Sequence, residues 1–292
     1  MEIKNVIICG LGALGLTYAN KLNNFCSLKI LVDETRFEKF QTNPPIFNNV
    51  AQNFKYVLPA EKERADLIII ATKSNGLDSA IKYIENFVDD KTIIISLING
   101  ISSEEKIRPC YPRATVLNSF FIGHSAMKID DKYYQDGIGK IVVEPNNKLE
   151  KFFKEYKIEH EISENIIYSQ WQKLGVNIVL NQLSAIENLT VGELRKKEYY
   201  SRRAQGLLQE VVTIAEQIGL KNLDNYIQEV LDSAKLIADD GITSMLQDVR
   251  NKRKTEVDIF SGEIIRLGKL YGIKTPYNED VYNKIKLIEK EF

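Results

Sequence analysis

Short apolar runs alternate with helical segments in the first half of the chain. Runs that are apolar throughout are typical of strands covered on both faces, so they predict a buried parallel sheet. The predicted strands are 5–9, 28–32, 66–71, 92–96, 115–120 and 140–145, and the helices between them include 13–23 and 77–87. This alternation predicts an α/β fold built on a Rossmann-type, doubly wound parallel sheet.

From about Ser163 onwards the pattern changes to long helical periodicity, with no strand-like alternation of comparable strength. Glycine and proline residues separate the helical segments. The predicted helices are 164–189, 199–218, 223–239, 255–271 and 277–290. We therefore predict a dinucleotide-binding domain over 1–165, followed by an all-α domain over 166–292 that contributes the substrate chemistry.

Composition and charge exclude several classes of protein. Of the 292 residues, 44% are hydrophobic, and 39 Lys and Arg nearly balance 40 Asp and Glu. The balance of charge predicts no binding to nucleic acid, and no apolar run approaches the roughly 20 residues of a membrane span. Three scattered cysteines and two distant histidines predict a cytoplasmic protein without disulfides or a metal site.

A glycine-rich stretch, "CGLGALG", follows the first predicted strand and opens a helix. Its glycines have the G-x-G-x-x-G spacing of a dinucleotide-binding loop, in which backbone N–H groups and a helix N-terminus face the pyrophosphate. The residues expected to contact the cofactor here are Gly10, Leu11, Gly12, Ala13, Leu14 and Gly15.

The end of the second predicted strand bears on the choice between NAD and NADP. An acidic residue there binds the ribose 2′-hydroxyl, whereas an arginine accommodates a 2′-phosphate. Asp33 favours NAD, and Arg36, one turn later, leaves NADP open. The alternative is that both residues simply begin a solvated helix.

Two loops after later strands are further candidates for the same crevice. Lys73 follows strand 66–71, and Asn99 follows strand 92–96 and precedes Gly100. Ligands of doubly wound sheets bind at the carboxyl ends of the strands. Asn99 either forms an ordinary Asn-Gly turn or hydrogen-bonds a substrate held against the nicotinamide.

A polar stripe crosses the otherwise apolar segment "WQKLGVNIVLNQLSAIENL" (171–189). At about 100° per residue, its members fall within about 80° of one another. They are Lys173, Asn177, Asn181, Ser184 and Asn188. The stripe is either a buried hydrogen-bonded network with a snorkelling lysine or one wall of an active site.

A second polar set lies near the C-terminus and comprises Ser244, Asp248 and Glu256. Glu256 also suits the first turn of a helix, where carboxylates are favoured. The residues of this set therefore have a structural explanation as well as a catalytic one.

Several segments together resemble the ketopantoate reductase family. They are "GLGALG", "ATKSNGLDSAI", "INGI", "WQKLGVNIVLNQLSAI" with "GEL" following, and "SMLQDVRNKRKTEVDIFSGEIIRLGKLYGIKTP". The resemblance covers nearly the whole chain in order. Its K-x-x-x-N-x-x-x-N and S-M-x-x-D…T-E patterns are far more specific than the glycine motif.

The resemblance implies reduction of 2-dehydropantoate to (R)-pantoate with NADPH, a step toward pantothenate and coenzyme A. It implies that Lys173 is the general acid and that Glu256 belongs to the catalytic set. The implied substrate contacts are Asn99, Asn177, Asn181 and Ser244, and Lys73 and Asn99 are placed at the cofactor.

Departures from the family pattern keep alternatives open. Asp33 stands where an arginine is common, so NAD(H) is an alternative to NADP(H). Gln182 replaces a usual proline, and Val191 and Gly241 replace two asparagines. The alternatives are a related small-molecule 2-oxo acid as substrate, a dehydrogenase of the 3-hydroxyacid or 6-phosphogluconate type, and a non-catalytic NAD(P)-binding protein. A homodimer is also left open.

Overall fold

The computed structural model describes residues 2–123, 126–129, 132–135, 137 and 139–292. It divides the chain into two compact units, Met1–Ile167 and Tyr168–Phe292. All strands among the described residues lie in the first unit, and the second is helical.

A six-stranded parallel sheet forms the centre of the first unit. In spatial order its strands are β5 (Tyr56–Val57), β2 (Ser27–Leu31), β1 (Asn5–Cys9), β6 (Leu67–Ile70), β7 (Ile93–Ser96) and β8 (Thr115–Leu117). Its inner strands β1, β6 and β7 are almost wholly buried, as their uninterrupted apolar runs predicted. Since β1 lies between β2 and β6, the direction of winding reverses beside it, which is where such sheets bind ligands.

Helices of the first unit connect these strands. They are α1 (Ala13–Leu22), α2 (Glu34–Thr42), α3 (Leu77–Tyr83), α4 (Ser103–Cys110) and α5 (Asn147–Glu155), with short 3₁₀ turns at Ser74–Gly76 and Glu85–Phe87. Leu16, Ala19 and Leu22 bury one face of α1 in the core. The predicted Rossmann-type α/β fold is confirmed.

Two smaller sheets complete the first unit. One contains β3 (Ile46–Phe47), β4 (Val50–Ala51), β10 (Ala126–Ile129) and β11 (Lys132–Gln135), and the other β9 (Ser119–Ile122), β12 (Lys140–Val143) and β13 (His160–Ile162). The strand predicted over 115–120 divides at Asn118, whose backbone and side-chain amides donate to the Glu144 carboxylate. The strand predicted over 140–145 is β12, which pairs with β9 outside the central sheet.

Eight helices are described in the second part of the chain. They are α6 (Ile166–Val176), α7 (Gln182–Glu187), α8 (Val191–Arg195), α9 (Tyr200–Gln217), α10 (Tyr226–Lys235), α11 (Ser244–Arg250), α12 (Ser261–Tyr271) and α13 (Pro276–Glu289). A π-turn, Asn177–Asn181, joins α6 to α7, and a 3₁₀ turn, Val257–Ile259, precedes α12. No helix in the described part of the chain is long and apolar enough to span a membrane.

The helical predictions differ from the structure at four places. The helix predicted over 164–189 is interrupted by the π-turn, and the one predicted over 255–271 begins only at Ser261. Helices α8 and α11 were not predicted, because each is shorter than the repeat that reveals helical periodicity.

Candidate active site

The glycine-rich loop connects β1 to α1, and two of its glycines are required by the fold. Gly10 has a φ of +106°, and a Cβ there would lie 2.7 Å from the backbone nitrogen of Thr72. A Cβ at Gly15 would lie 1.9 Å from the carbonyl oxygen of Gly10. Any side chain at either position would therefore push the loop away from the strand end.

Gly12 differs from both, because a Cβ there would meet no described atom within 4 Å. Gly12 is also the N-cap of α1, and neither a side-chain cap nor an acidic residue occupies that helix end. The predicted contacts Leu11, Ala13 and Leu14 lie on this loop and the first turn of α1. An uncapped helix N-terminus with open space in front of it fits the pyrophosphate of a dinucleotide.

Asp33 and Arg36 lie together just after β2. Asp33 is the N-cap of α2, and its Oδ1 accepts the Arg36 backbone N–H at 2.8 Å. The Arg36 guanidinium lies 3.4 Å from the other carboxylate oxygen. Asp33 therefore begins a helix, as the alternative explanation required, while it also presents a carboxylate at the strand end.

Lys73 and Asn99 lie at the ends of neighbouring strands. Lys73 follows β6 and is exposed, and Asn99 follows β7 and is half-buried. β1, β6 and β7 are neighbouring parallel strands, so Lys73 and Asn99 lie at the carboxyl end of the sheet, where the glycine-rich loop also lies. Gly100 has a φ of +96°, so the Asn-Gly pair does form a turn at this edge.

In the helical unit, the π-turn begins and ends at the two predicted substrate contacts, Asn177 and Asn181. Lys173 lies one helical turn earlier, on α6. Single π-turns inside α-helices frequently occur at functional sites. The helical periodicity of the sequence carries no signal for this turn.

A directed chain of hydrogen bonds links these asparagines to α11. The backbone N–H of Met245, which can only donate, points to Oδ1 of Asn181 at 3.3 Å, and the Ser244 hydroxyl donates to the same oxygen at 3.2 Å. The Asn181 amide NH₂ must therefore be the group that donates to Asn177 Oδ1, at 2.7 Å. This leaves Asn177 Nδ2 buried, with no acceptor among the described residues.

Lys173 and Glu256 form the charged part of the site. Burial lowers the pKa of Lys173 to about 8, and the negative charge of Glu256 opposes that shift. Glu256 precedes the 3₁₀ turn and lies outside α12. It is therefore not a carboxylate in the first turn of α12, which was the structural explanation for it. Its neighbour Thr255 is held by the Glu289 carboxylate through both its backbone N–H and its hydroxyl.

The other polar residues of the two sets have structural partners. Ser184 hydrogen-bonds Thr243 at 2.7 Å, and Asn188 ends α7 in a left-handed conformation. Asn188 also accepts from Arg250, and Asp248 accepts from Arg253. Of the predicted stripe, Asn177 and Asn181 are the residues that hydrogen bonds link to Ser244.

Comparison with known proteins assigns the chain to a family. The family model described as ketopantoate reductase PanE/ApbA matches residues 6–148. A second family model, described as ketopantoate reductase PanE/ApbA C terminal, matches residues 165–289. A 2-dehydropantoate 2-reductase of Pyrococcus horikoshii is 29% identical, with 97% of each chain covered.

Solved structures share the fold along almost the whole chain. A PanE/ApbA family ketopantoate reductase of Ralstonia eutropha has a TM-score of 0.83 at 23% identity, with 98% of each chain covered. A complex of D-mandelate dehydrogenase with NADH has a TM-score of 0.87 at 24% identity, covering 98% of this chain and 99% of that one. The chain therefore belongs to the ketopantoate reductase family of NAD(P)H-dependent oxidoreductases, as its motifs predicted.

Proposed function

We propose that this chain reduces 2-dehydropantoate to (R)-pantoate with NADPH, and that Lys173 is the general acid. One observation carries the proposal. Lys173 is half-buried and has a lowered pKa, although the charge of Glu256 opposes that shift. It lies one helical turn before Asn177, whose side-chain N–H has no acceptor among the described residues. Reduction of a 2-oxo acid needs a cation that can release a proton to the keto oxygen and a neutral hydrogen-bond donor beside it.

The acid step follows from the charge that develops on the substrate. A bound reduced nicotinamide supplies a hydride to the keto carbon. Negative charge then grows on the keto oxygen, where the Lys173 ammonium stabilises it and donates the proton that completes the hydroxyl. With a pKa of about 8, Lys173 is mostly protonated at neutral pH yet releases its proton more readily than an ordinary lysine. Solvent then returns a proton to the neutral amine.

The asparagine pair supplies the polar contacts. Asn177 Nδ2 is an N–H donor that the protein itself leaves unused, and a buried unpaired donor costs about 1–3 kcal/mol. A substrate carboxylate or hydroxyl that accepts from it would recover that cost. Asn181 and Ser244 fix the direction in which Asn177 donates. Asn99 is proposed as a further substrate contact.

The dinucleotide is proposed to bind the loop from Gly10 to Gly15, with Lys73 and Asn99 at the same sheet edge. Family membership favours NADPH, and Arg36 offers a cation for a 2′-phosphate. Asp33 offers a carboxylate for a 2′-hydroxyl instead, so we propose that NADH is accepted as well.

A second candidate function is reduction of a 2-oxo acid with a more apolar side chain. It is favoured by Val191 and Gly241, which stand where the family resemblance implies asparagines. They are neighbours: the Val191 N–H donates to the Gly241 carbonyl at 3.0 Å, and Val191 is fully buried. The two replacements therefore remove two polar side chains from adjacent positions.

The first prediction tests the reaction itself. We expect wild-type protein to oxidise NADPH with 2-dehydropantoate, and Lys173→Ala to lower kcat about 100-fold or more with dinucleotide binding intact, since it removes the proton donor. Absorbance of the reduced nicotinamide is followed with 2-dehydropantoate, 3-methyl-2-oxobutanoate and phenylglyoxylate. Lys269→Ala, at an exposed position on α12, is the control. Absence of turnover with all three acids would contradict the reductase proposal. A preference for 3-methyl-2-oxobutanoate or phenylglyoxylate would favour the second candidate function, reduction of a more apolar 2-oxo acid.

The second prediction concerns pH. The protonated lysine is the acid, so kcat should be highest below the Lys173 pKa and fall as pH rises through about 8. Because Glu256 raises that pKa, Glu256→Gln should move the fall to lower pH. A pH–rate profile of both proteins checks this. A fall at the same pH in both would show that Glu256 does not act on the acid.

The third prediction separates binding from folding in the glycine-rich loop. Gly12→Ala should weaken NADPH binding about tenfold or more while leaving the melting temperature near wild type, because its methyl fills only the space proposed for phosphate. Gly15→Ala is the contrast and should lower the melting temperature, since its Cβ collides with the Gly10 carbonyl. Titration calorimetry and thermal melts are measured on both. Full-strength binding by Gly12→Ala would place the dinucleotide elsewhere.

The fourth prediction concerns cofactor choice. Asp33→Asn keeps an oxygen for the α2 N-cap but removes the charge, so kcat/KM for NADPH relative to NADH should rise about tenfold. Glu34→Gln removes a charge from the next residue and should leave the ratio unchanged. An unchanged ratio in Asp33→Asn would mean that Asp33 serves only as a helix cap.

A further inference from the structure

We propose that Gln182 is a positioning residue that holds the π-turn, and with it Asn177 and Asn181, in the orientation that receives substrate. The proposal rests on the function proposed above and adds a residue to it. Gln182 is fully buried, and it is the first residue of α7. A long polar side chain that is fully buried needs a reason to be there.

The backbone of Gln182 closes the π-turn. Its N–H donates to the carbonyl of Asn177, five residues back, and not to that of Ile178, four residues back. An unbroken α-helix would make the second bond. The Ile178 carbonyl therefore loses the partner that regular helix geometry would give it.

The side chain of Gln182 compensates for this loss. Its Nε2 donates to the Ile178 carbonyl at 3.2 Å, so the residue that closes the π-turn also supplies a donor to the carbonyl that lost its helical partner. The same Nε2 donates to the Ser261 hydroxyl at 2.8 Å, and Oε1 accepts the Ser261 backbone N–H at 3.1 Å. The π-turn is thereby attached to the first residue of α12.

The attachment continues into the core of the helical unit. The Ser261 hydroxyl donates to Asn278 Oδ1 at 2.8 Å, and Asn278 Nδ2 donates to Glu210 Oε2 at 2.8 Å. All three side chains are buried, on α12, α13 and α9. Fully satisfied buried polar networks fix one arrangement of the elements that they join. Gln182 links the two substrate asparagines to that network.

The test compares Gln182→Met with Asn278→Leu. Methionine keeps the length of the side chain but removes the bonds to Ile178 and Ser261. Asn278→Leu breaks the outer part of the network and leaves those bonds in place. We expect Gln182→Met to raise KM for the 2-oxo acid about tenfold, with dinucleotide Kd and the pH dependence of kcat unchanged. Amide hydrogen exchange in the segment 177–183 should become faster.

Asn278→Leu should lower the melting temperature but change KM and that exchange much less than Gln182→Met does, because the Gln182 bonds to Ile178 and Ser261 stay in place. If Gln182→Met folds poorly, Ser261→Ala, which removes one of the bonds, should show the same changes more weakly. Unchanged KM and exchange in the Gln182 variant, or equal changes in the Asn278 variant, would overturn the proposal. If wild-type protein reduces no 2-oxo acid, the proposed function fails, and hydrogen exchange alone still decides whether Gln182 holds the turn.

Discussion

Burial of one cation governs the chemistry proposed for this protein. Desolvation disfavours the charged form of Lys173 and lowers its pKa to about 8, while Glu256 prevents a larger shift. Without burial the lysine would hold its proton more tightly, and without the carboxylate its pKa would be lower than about 8. The proposed general acid therefore depends on a balance between low polarity and one negative charge.

Asn177 and Asn181, the two asparagines that follow Lys173, bound a local departure from helix geometry. Their side chains bond each other, and the Met245 N–H sets the direction of that bond. The side-chain N–H of Asn177 is then left without an acceptor among the described residues. In the function proposed here, the substrate would supply that acceptor.

The sequence predicted the parallel sheet and its glycine-rich loop, because uninterrupted apolar strands and G-x-G-x-x-G spacing have direct physical causes. It could not predict the π-turn, since a helical wheel assumes one constant period. The same assumption placed Ser184 and Asn188 on one stripe with Asn177 and Asn181, although in the structure they bond Thr243 and Arg250. The roles of Lys173 and Glu256 came from family resemblance, because residue spacing alone cannot show which face of a helix meets a ligand.

Direct titration of Lys173 tests the central claim. The side-chain amine can be followed by NMR on protein labelled at lysine, with assignment by comparison with Lys173→Ala. We expect a pKa of about 8 in the wild type and a lower value in Glu256→Gln. A Lys173 pKa near the ordinary 10.5, or one that does not change when the Glu256 charge is removed, would contradict the account.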